Sequence, residues 1–307
     1  RLSTDVIAEG TGVTCGGCAE AKLPSRSYAK EAMRPAQRAG DIISFDTICS
    51  WDRSPSGYVN TAHAHDVASD YGAVWCTRTK AVGSYGVYFL KLSHNNTGRH
   101  PRQVRIDSGE WLTKSLKAYC LEHGVTLITA VANTHQNNTI ERRNRTLEEI
   151  ARGMMVRGGA NGGMHEFAVP QANFIINVTM KIAALRAAGR PGKGTIRPLT
   201  PLEQFENGGE HIDLQALYSN LLHRFALGYV HNETTKKHGC PGREVIYLGI
   251  VPRHDATVSY GHRCLCLDTK RVQVFRTVVT GKVPVYPWKE GPSRSLRARP
   301  RASPTAS

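Results

Sequence analysis

Short runs of apolar and β-branched residues predict a group of strands near the start of the periodic part of the chain. The clearest run lies at about 42–49, and two further strands are expected near 58–67 and 72–79. The pattern then predicts, in order, a helix at 81–92, a strand at 103–107, a helix at 110–122, a strand at 125–128 and a helix at 139–156. Three strands followed by alternating helices and strands indicate an α/β sheet with helices packed on its faces.

The second half of the chain changes from helical to strand-like spacing. A helix is expected at 164–187, followed by a Gly-, Pro- and basic-rich linker at 189–194. Short strands are then expected at 224–231, 244–251, 260–267 and 271–279. These strands predict a separate small β domain, and the Arg-, Pro- and Ser-rich end of the chain is expected to be a disordered basic tail.

The charge balance indicates the kind of partner. The 307 residues include 40 Lys and Arg against 25 Asp and Glu, for a net charge of +15, which favours a polyanionic partner. No apolar stretch approaches the roughly 20 residues of a membrane-spanning helix, so no membrane partner is expected. The chain starts at Arg1 without a signal pattern, and its eight cysteines do not suggest a disulfide framework. We therefore expect an intracellular, non-secreted fragment of a longer protein.

Three acidic residues are the strongest candidates for chemistry. Asp46 interrupts an apolar strand, Asp107 closes the strand that ends before Ser108, and Glu141 opens a helical run. A carboxylate inside an apolar strand is costly to desolvate unless it is paired or binds a metal ion. If the fold gathers the three, they can hold two divalent ions that assist phosphoryl transfer, and magnesium suits such an oxygen-only site.

Two of these acids also have a purely structural interpretation. Asp107 fits the N-cap of the helix that follows it, with Glu110 as its capping-box partner. Glu141 fits the same capping role in the next helix. Asp46 has no comparable alternative, because no basic residue stands at 44 or 48 to pair with it on its own face.

Read with their neighbours, the three acids resemble the integrase core of copia-type LTR retrotransposons. The motifs that carry the resemblance are Asp46, Ile106-Asp107-Ser108-Gly109-Glu110-Trp111 and Gln136-Asn137-Asn138-Thr139-Ile140-Glu141-Arg142-Arg143-Asn144-Arg145-Thr146-Leu147. Later landmarks follow in the family's order, at Leu199-Thr200-Pro201-Leu202-Glu203, Phe225-Ala226-Leu227-Gly228-Tyr229-Val230-His231 and Ile246-Tyr247-Leu248-Gly249. The resemblance runs from about residue 15 to 285.

The resemblance implies an α/β fold: an RNase H-like mixed sheet with flanking helices, followed by a small all-β, Src-homology-3-like barrel. The implied domains are a truncated zinc-binding segment at 1–40, the catalytic core at 41–205, the β-barrel-like domain at 206–290 and the basic tail at 291–307.

The resemblance also implies a polynucleotidyl transferase whose Asp46, Asp107 and Glu141 triad binds two Mg²⁺ or Mn²⁺ ions. Such enzymes trim a 3′ end of the element's DNA and join it to host DNA. The implied partners are element and target DNA and further copies of the chain on that DNA, with no small-molecule substrate. The implied location is the nucleus for integration and otherwise a cytoplasmic particle.

Further residues follow from the resemblance or from their charge. By resemblance, the stretch that shapes the active-site loop and contacts DNA supplies Gln136, Asn137, Arg142, Asn144 and Arg145. By charge, Arg143 joins Arg142 and Arg145 as a candidate for DNA binding, and Lys236 and Lys237 in the β domain would extend a basic track. Clustered Arg residues in the first turns of a helix repel one another, and a phosphate backbone would relieve that repulsion.

Cysteine and histidine give weaker metal candidates. Cys15 and Cys18 match half of the family's zinc site, but no His precedes them, so an intact zinc site is not expected here. His63 and His65 share one face of a strand near Asp66. Ordinary polar strand residues are the preferred interpretation of these two, and a metal-binding pair is the alternative.

The sequence departs from the family at two places near the triad. The usual Asp-Asn-Gly-Gly-Glu is here Asp107-Ser108-Gly109-Glu110, one residue shorter, and Asn138 stands where the family has a Gly. Two alternatives to an active integrase therefore stay open. One is an inactive remnant that only binds nucleic acid, and the other is a ribonuclease of the same fold.

Overall fold

A computed structural model of the chain describes residues 36–49, 51–106, 109–129, 138–179, 198–206, 208–213, 225–231, 242–251 and 261–280. Several residues singled out from the sequence lie outside these ranges: Cys15, Cys18, Asp107, Gln136, Asn137, Lys236 and Lys237. The zinc-binding segment and the basic tail predicted at the two ends lie outside them as well.

The first sheet has five strands and mixed pairing. In chain order they are β1 (Ile42–Ile48), β2 (Asn60–Asp66), β3 (Gly72–Thr77), β4 (Gln103–Ile106) and β5 (Thr126–Thr129). Their spatial order is β3-β2-β1-β4-β5. β1, β2 and β3 pair antiparallel, whereas β1, β4 and β5 pair parallel. The longest apolar strand, β1, therefore lies at the centre of the sheet.

Helices cover both faces of this sheet. They are α1 (Gly83–Thr97), α2 (Lys114–Glu122), α3 (Asn138–Gly158), α4 (His165–Val178) and the short α5 (Pro201–Glu206). One face of β1, including Ile43 and Phe45, packs into a core with Phe89 of α1 and Leu116 of α2. Ile48 instead belongs to a second core with α3 and α4. The alternation of side chains along β1 thus assigns Asp46 to the face that α3 covers.

The second sheet is entirely antiparallel. Its strands are β6 (Leu227–His231), β7 (Gly242–Ile250), β8 (His262–Cys266), β9 (Val272–Phe275) and β10 (Val279–Thr280), in the order β10-β6-β7-β8-β9. It packs against the helical layer of the core, because Phe225, Ile246 and Leu248 share a buried cluster with Leu147 of α3 and Phe167 of α4.

The structure confirms the expected fold class, an RNase H-like mixed sheet with flanking helices and a second, smaller β unit. Closure of that unit into a barrel and the domain boundaries stay predictions. Among the described residues, no helix is both long and apolar enough to cross a membrane.

One expected helix starts later than its sequence suggested. The helix at 110–122 is a 3₁₀ turn at Gly109–Trp111 followed by α2, which begins only at Lys114. The N-cap of α2 is Thr113, whose hydroxyl accepts a hydrogen bond from the backbone N–H of Leu116 at 3.2 Å. The capping role that the sequence allowed for Asp107 in this helix is therefore filled by another residue.

Candidate active site

Asp46 lies in the central strand of the mixed sheet and is half-buried. One of its carboxylate oxygens, Oδ1, accepts a hydrogen bond of 2.7 Å from the backbone N–H of Thr47. Its neighbour Phe45 is fully buried on the opposite face. Packing of the apolar residues on that face holds β1 in register, so the Asp46 carboxylate is directed toward the α3 side of the sheet.

Trp111 fixes the segment that follows β4 onto the two neighbours of Asp46. Its ring stacks on Phe45 with centroids 4.8 Å apart, and its indole N–H donates to the hydroxyl of Thr47 at 2.9 Å. In the parallel pairing of β1 and β4, Ile106 is the register partner of Phe45. The chain therefore leaves β4 next to Asp46 and is anchored again beside it four residues after Asp107.

Helix α3 contributes a direct contact to the Asp46 carboxylate. Asn144 Nδ2 donates a hydrogen bond of 2.6 Å to Asp46 Oδ2. Glu141 stands three residues earlier, in the first turn of the same helix, and is exposed. Residues three apart are neighbours on a helix surface, so the helix that binds Asp46 through Asn144 presents Glu141 from the adjacent turn.

The Asn144 amide is held from its other side by His63. Asp46 and His63 are direct register partners across β1 and β2, and Asn144 Oδ1 lies 2.5 Å from His63 Nδ1. Because an ionised carboxylate only accepts hydrogen bonds, the NH₂ group of Asn144 faces Asp46 and its oxygen faces His63. The proton of a neutral His63 is then on Nδ1. Burial, together with smaller electrostatic effects of His65 and Arg143, lowers the pKa of His63 to about 3.

Arg143, next in sequence to Asn144, turns into the interior. It is only 4% exposed. Its guanidinium donates to Asn177 Oδ1 at 2.7 Å and to Asn173 Oδ1 at 3.4 Å, and lies 3.9 Å from the carboxylate of Asp70. Burial lowers the pKa of Arg143 to about 10, against the opposing effects of Asp70 and Tyr71. A guanidinium in this position is a structural cation.

This burial does not fit the DNA-contacting role expected for Arg143 from the sequence. The neighbouring arginines Arg142 and Arg145 are both exposed, and DNA contact stays a prediction for these two. Asn144 was expected to shape the active-site loop or touch DNA, and the structure instead gives it a bond to Asp46 and a buried position.

His65 and Asp70 belong, with His63, Arg143, Asn144, Asn173 and Asn177, to a group of polar residues that we call the polar layer. His65 Nε2 lies 2.7 Å from Asp70 Oδ1, and burial lowers the pKa of His65 against the effect of that carboxylate. Asp66 accepts from the backbone N–H of Ser69 in the turn between β2 and β3, and from the backbone N–H of Gly40 ahead of β1. The interpretation of the two histidines as polar strand residues, each with a protein partner, accounts for the described contacts.

The burial of Arg143 and Asn144, which the sequence analysis did not predict, has a signal in helical spacing. Apolar positions of α3 at Ile140, Leu147 and Ala151 are fully buried. Positions 143 and 144 fall three and four residues after Ile140, on the same buried stripe. That spacing predicts that Arg143 and Asn144 face inward, although their residue types suggest a solvated surface.

The described residues contain no group of three or more His, Cys, Asp or Glu side chains placed to hold a metal ion. Asp107, the third member of the expected triad, lies outside those residues. Within the described residues, the hydrogen bond from Asn144 links Asp46 to the helix that also carries Glu141.

Comparison with known proteins shows a sequence relative. The chain is 33% identical over 91 residues to the retrovirus-related Pol polyprotein from transposon TNT 1-94 of Nicotiana tabacum. The match spans 29% of this chain and 7% of that polyprotein. No family model matches the chain.

A solved structure is also similar, at a lower sequence identity. It is the HTLV-2 integrase catalytic core domain in complex with magnesium, in a trimeric form. The alignment has a TM-score of 0.39 and 13% identity, and covers 55% of this chain and 99% of that one. At these values the likeness decides nothing about the function of this chain.

Proposed function

We propose that this chain, which shares sequence with a retrovirus-related Pol polyprotein, is the integrase region of a copia-type LTR retrotransposon. Its proposed activity is metal-dependent trimming of the 3′ ends of element DNA and joining of those ends to host DNA. The observation that carries the proposal is the 2.6 Å bond from Asn144 to Asp46, because it brings the helix that bears Glu141 to the central carboxylate of the sheet.

The donor chemistry of the proposed site fits hard divalent cations. Asp46, Asp107 and Glu141 would hold Mg²⁺ or Mn²⁺ through carboxylate oxygens, which are the ligands these ions prefer. When bound, two such ions activate the attacking oxygen and stabilise the leaving one in an in-line displacement. The register of Phe45 with Ile106 supports the assignment of Asp107, since the residue that follows each of them in the sequence is an aspartate.

The chain's own side chains have separate tasks in this proposal. Asn144 orients the Asp46 carboxylate by donating to Oδ2, while the exposed Arg142 and Arg145 bind DNA phosphates and steer the duplex to the carboxylates. The attacking group is water during end trimming and the new DNA 3′ hydroxyl during joining. In each step a P–O bond to the attacking oxygen forms as the P–O bond to a DNA 3′ oxygen breaks, so trimming leaves a free 3′ hydroxyl on the element end, and joining leaves a new phosphodiester and a free 3′ hydroxyl on the target strand.

The partners and location belong to the same proposal. The net charge of +15 supports DNA as the partner, and the proposed assembly is more than one copy of the chain on that DNA. Integration into host DNA places that step in the nucleus. The tobacco relative is far longer than the matched segment, so we propose that this chain functions as a part of, or a product from, a polyprotein.

A strand-transfer assay on labelled oligonucleotide duplexes tests the proposal. The wild-type chain is expected to give joined products with Mg²⁺ or Mn²⁺ and none with EDTA, and Asp46→Asn and Asp107→Asn to lower product formation at least about 10³-fold. Full activity in Asp107→Asn would rule this site out. Salt-sensitive DNA binding without metal-dependent nicking would identify the inactive remnant, and preferential cutting of RNA–DNA hybrids would identify the ribonuclease.

A further inference from the structure

We propose that His63 is a positioning residue: it holds the amide of Asn144 in the one orientation that donates to Asp46. The inference rests on the proposed function, because it assigns to Asp46 the role of a metal ligand. His63 does not touch the reacting groups itself. It acts through the contact between its Nδ1 and Asn144 Oδ1 at 2.5 Å and the bond from Asn144 to Asp46 at 2.6 Å.

The Asn144 amide needs such a restraint for a chemical reason. The two ends of a primary amide are nearly equal in size, so the side chain fits its site in two orientations. The oxygen end is a good ligand for hard divalent cations. When a cation binds at Asp46, it therefore favours rotation of the amide oxygen toward itself, which would remove the donor from Asp46 Oδ2. A hydrogen bond from His63 to that oxygen opposes the rotation.

His63 is itself held firmly enough to act as a restraint. It is fully buried, and its ring lies over Gly72 so closely that a Cβ at that position would be 2.9 Å from His63 Nε2. Gly72 in turn is fixed by α4, because its carbonyl accepts from Asn173 and Asn177 at 2.7 and 2.8 Å. The ring is thus enclosed between Asn144 on one side and the backbone of β3 on the other.

The surroundings of the ring favour the required tautomer. Within the described residues, His63 Nε2 has no hydrogen-bond partner. The same Cβ position at Gly72 lies 3.2 Å from a terminal nitrogen of Arg143, so a positive group stands on the Nε2 side of the ring. That charge disfavours a proton at Nε2, and the amide oxygen of Asn144 favours one at Nδ1.

Two substitutions separate positioning from simple packing. His63→Leu fills a similar volume with an apolar side chain that has no hydrogen-bond donor. His63→Asn loses more volume, yet its Nδ2 is attached to Cγ as Nδ1 is in histidine, so a donor to Asn144 is retained. If the role of His63 is only to fill space, then Asn is the worse replacement; if its role is positioning, then Leu is the worse one.

The readout is Mn²⁺ binding to the full chain. It is measured by the paramagnetic broadening of the backbone amide signals of Phe45 and Thr47. The Mn²⁺ concentration for half-maximal broadening is expected to rise at least about 10-fold in His63→Leu and to stay within about 3-fold of wild type in His63→Asn, the size typical for groups that orient metal ligands. In an Asn144→Ala background, His63→Leu is expected to leave the Mn²⁺ concentration for half-maximal broadening unchanged, because the amide through which His63 acts is absent. Thermal unfolding of each variant checks that it is folded.

Long-range ¹H–¹⁵N correlation spectra of His63 give a second readout that needs neither metal nor DNA. The expected result is a neutral ring with its proton on Nδ1. A proton on Nε2, equal losses of Mn²⁺ affinity in His63→Leu and His63→Asn, or a full His63→Leu effect in the Asn144→Ala background would each overturn the inference.

The same set of proteins distinguishes this inference from the proposed function. Wild-type protein that shows the expected tautomer and Mn²⁺ pattern but joins no DNA would contradict the integrase activity and leave the His63 assignment standing. Protein that joins DNA while His63→Leu binds Mn²⁺ as tightly as wild type would contradict the His63 assignment and leave the activity standing.

Discussion

Arg143 donates a hydrogen bond of 2.7 Å to Asn177, and through it a buried guanidinium joins helix α3 to helix α4. We expect Arg143→Ala to lower the free energy of unfolding by about 3 kcal/mol, because it leaves buried amide oxygens without a donor and Asp70 without its nearby cation. Arg142→Ala is the matched control on the same helix turn and is expected to change stability by less than about 0.5 kcal/mol. Urea titration of both variants measures the difference, and similar losses in the two would contradict a structural role for Arg143.

DNA affinity is expected to depend on the exposed arginines Arg142 and Arg145 and not on Arg143, which is the reverse of the order expected for stability. Arg142 and Arg145 are exposed, so Arg145→Ala should weaken binding evenly across sequences and reduce the slope of log K against log salt concentration by about 1. Arg143→Lys, which retains a buried cation, should leave that slope unchanged. Fluorescence anisotropy at several salt concentrations measures these slopes, and a change in slope for Arg143→Lys would return this residue to the DNA interface.

The sequence predicted the fold well where apolar spacing decides it. The apolar run at 42–49 predicted the central strand, and the helix expected at 139–156 is α3. The start of α2 was misplaced, because Thr113 caps the helix and a 3₁₀ turn precedes it. Residues near a helix start satisfy several capping patterns, and tertiary packing selects among them.

The candidate site was less predictable. Asp46 stood out because a carboxylate within an apolar strand needs a partner, and the structure supplies Asn144. The burial of Arg143 was not predicted. Arginine side chains are usually solvated, and that preference was given more weight than the position of residue 143 on the buried stripe of α3. The role of His63 depends on the register of β1 and β2, which one sequence does not reveal.

Gly72 is the tightest point of the polar layer. A Cβ there would lie 2.8 Å from Asn173 Oδ1 and 2.9 Å from His63 Nε2, so we expect Gly72→Ala to lower the free energy of unfolding by about 2 kcal/mol. Gly153→Ala is the control within α3, where no atom other than the local helix backbone lies within 4 Å of the added Cβ. It should stabilise the protein by roughly 0.5–1 kcal/mol, because alanine is the better helix former. Thermal unfolding that ranks the two variants the other way would contradict this packing.

Acid should destabilise the chain through its buried histidines. The pKa of His63 falls from 6.5 to about 3 on folding, so between these values the unfolded chain binds more protons than the folded one. Stability then rises with pH in this window and is lost as pH falls below 6.5. Between pH 7 and pH 5 the loss from His63 is about 2 kcal/mol, and the lowered pKa of His65 adds to it.

Urea titrations at pH 7, 6 and 5 measure this dependence. His63→Asn removes the titrating group at the same site and should make the free energy of unfolding less dependent on pH over this range. An equal pH dependence in wild type and His63→Asn would show that His63 is not buried in its neutral form.

The most direct test of the central claim compares two glutamates of one helix in the joining of a labelled DNA 3′ end to a plasmid. Glu141 lies in the first turn of α3, three residues before the Asn144 that bonds Asp46, whereas Glu149 is exposed two turns further along the helix. With Mn²⁺ present, Glu141→Gln is expected to lower joining at least about 10³-fold while Glu149→Gln retains wild-type activity. Joining by Glu141→Gln at the level of Glu149→Gln would contradict the assignment of this site.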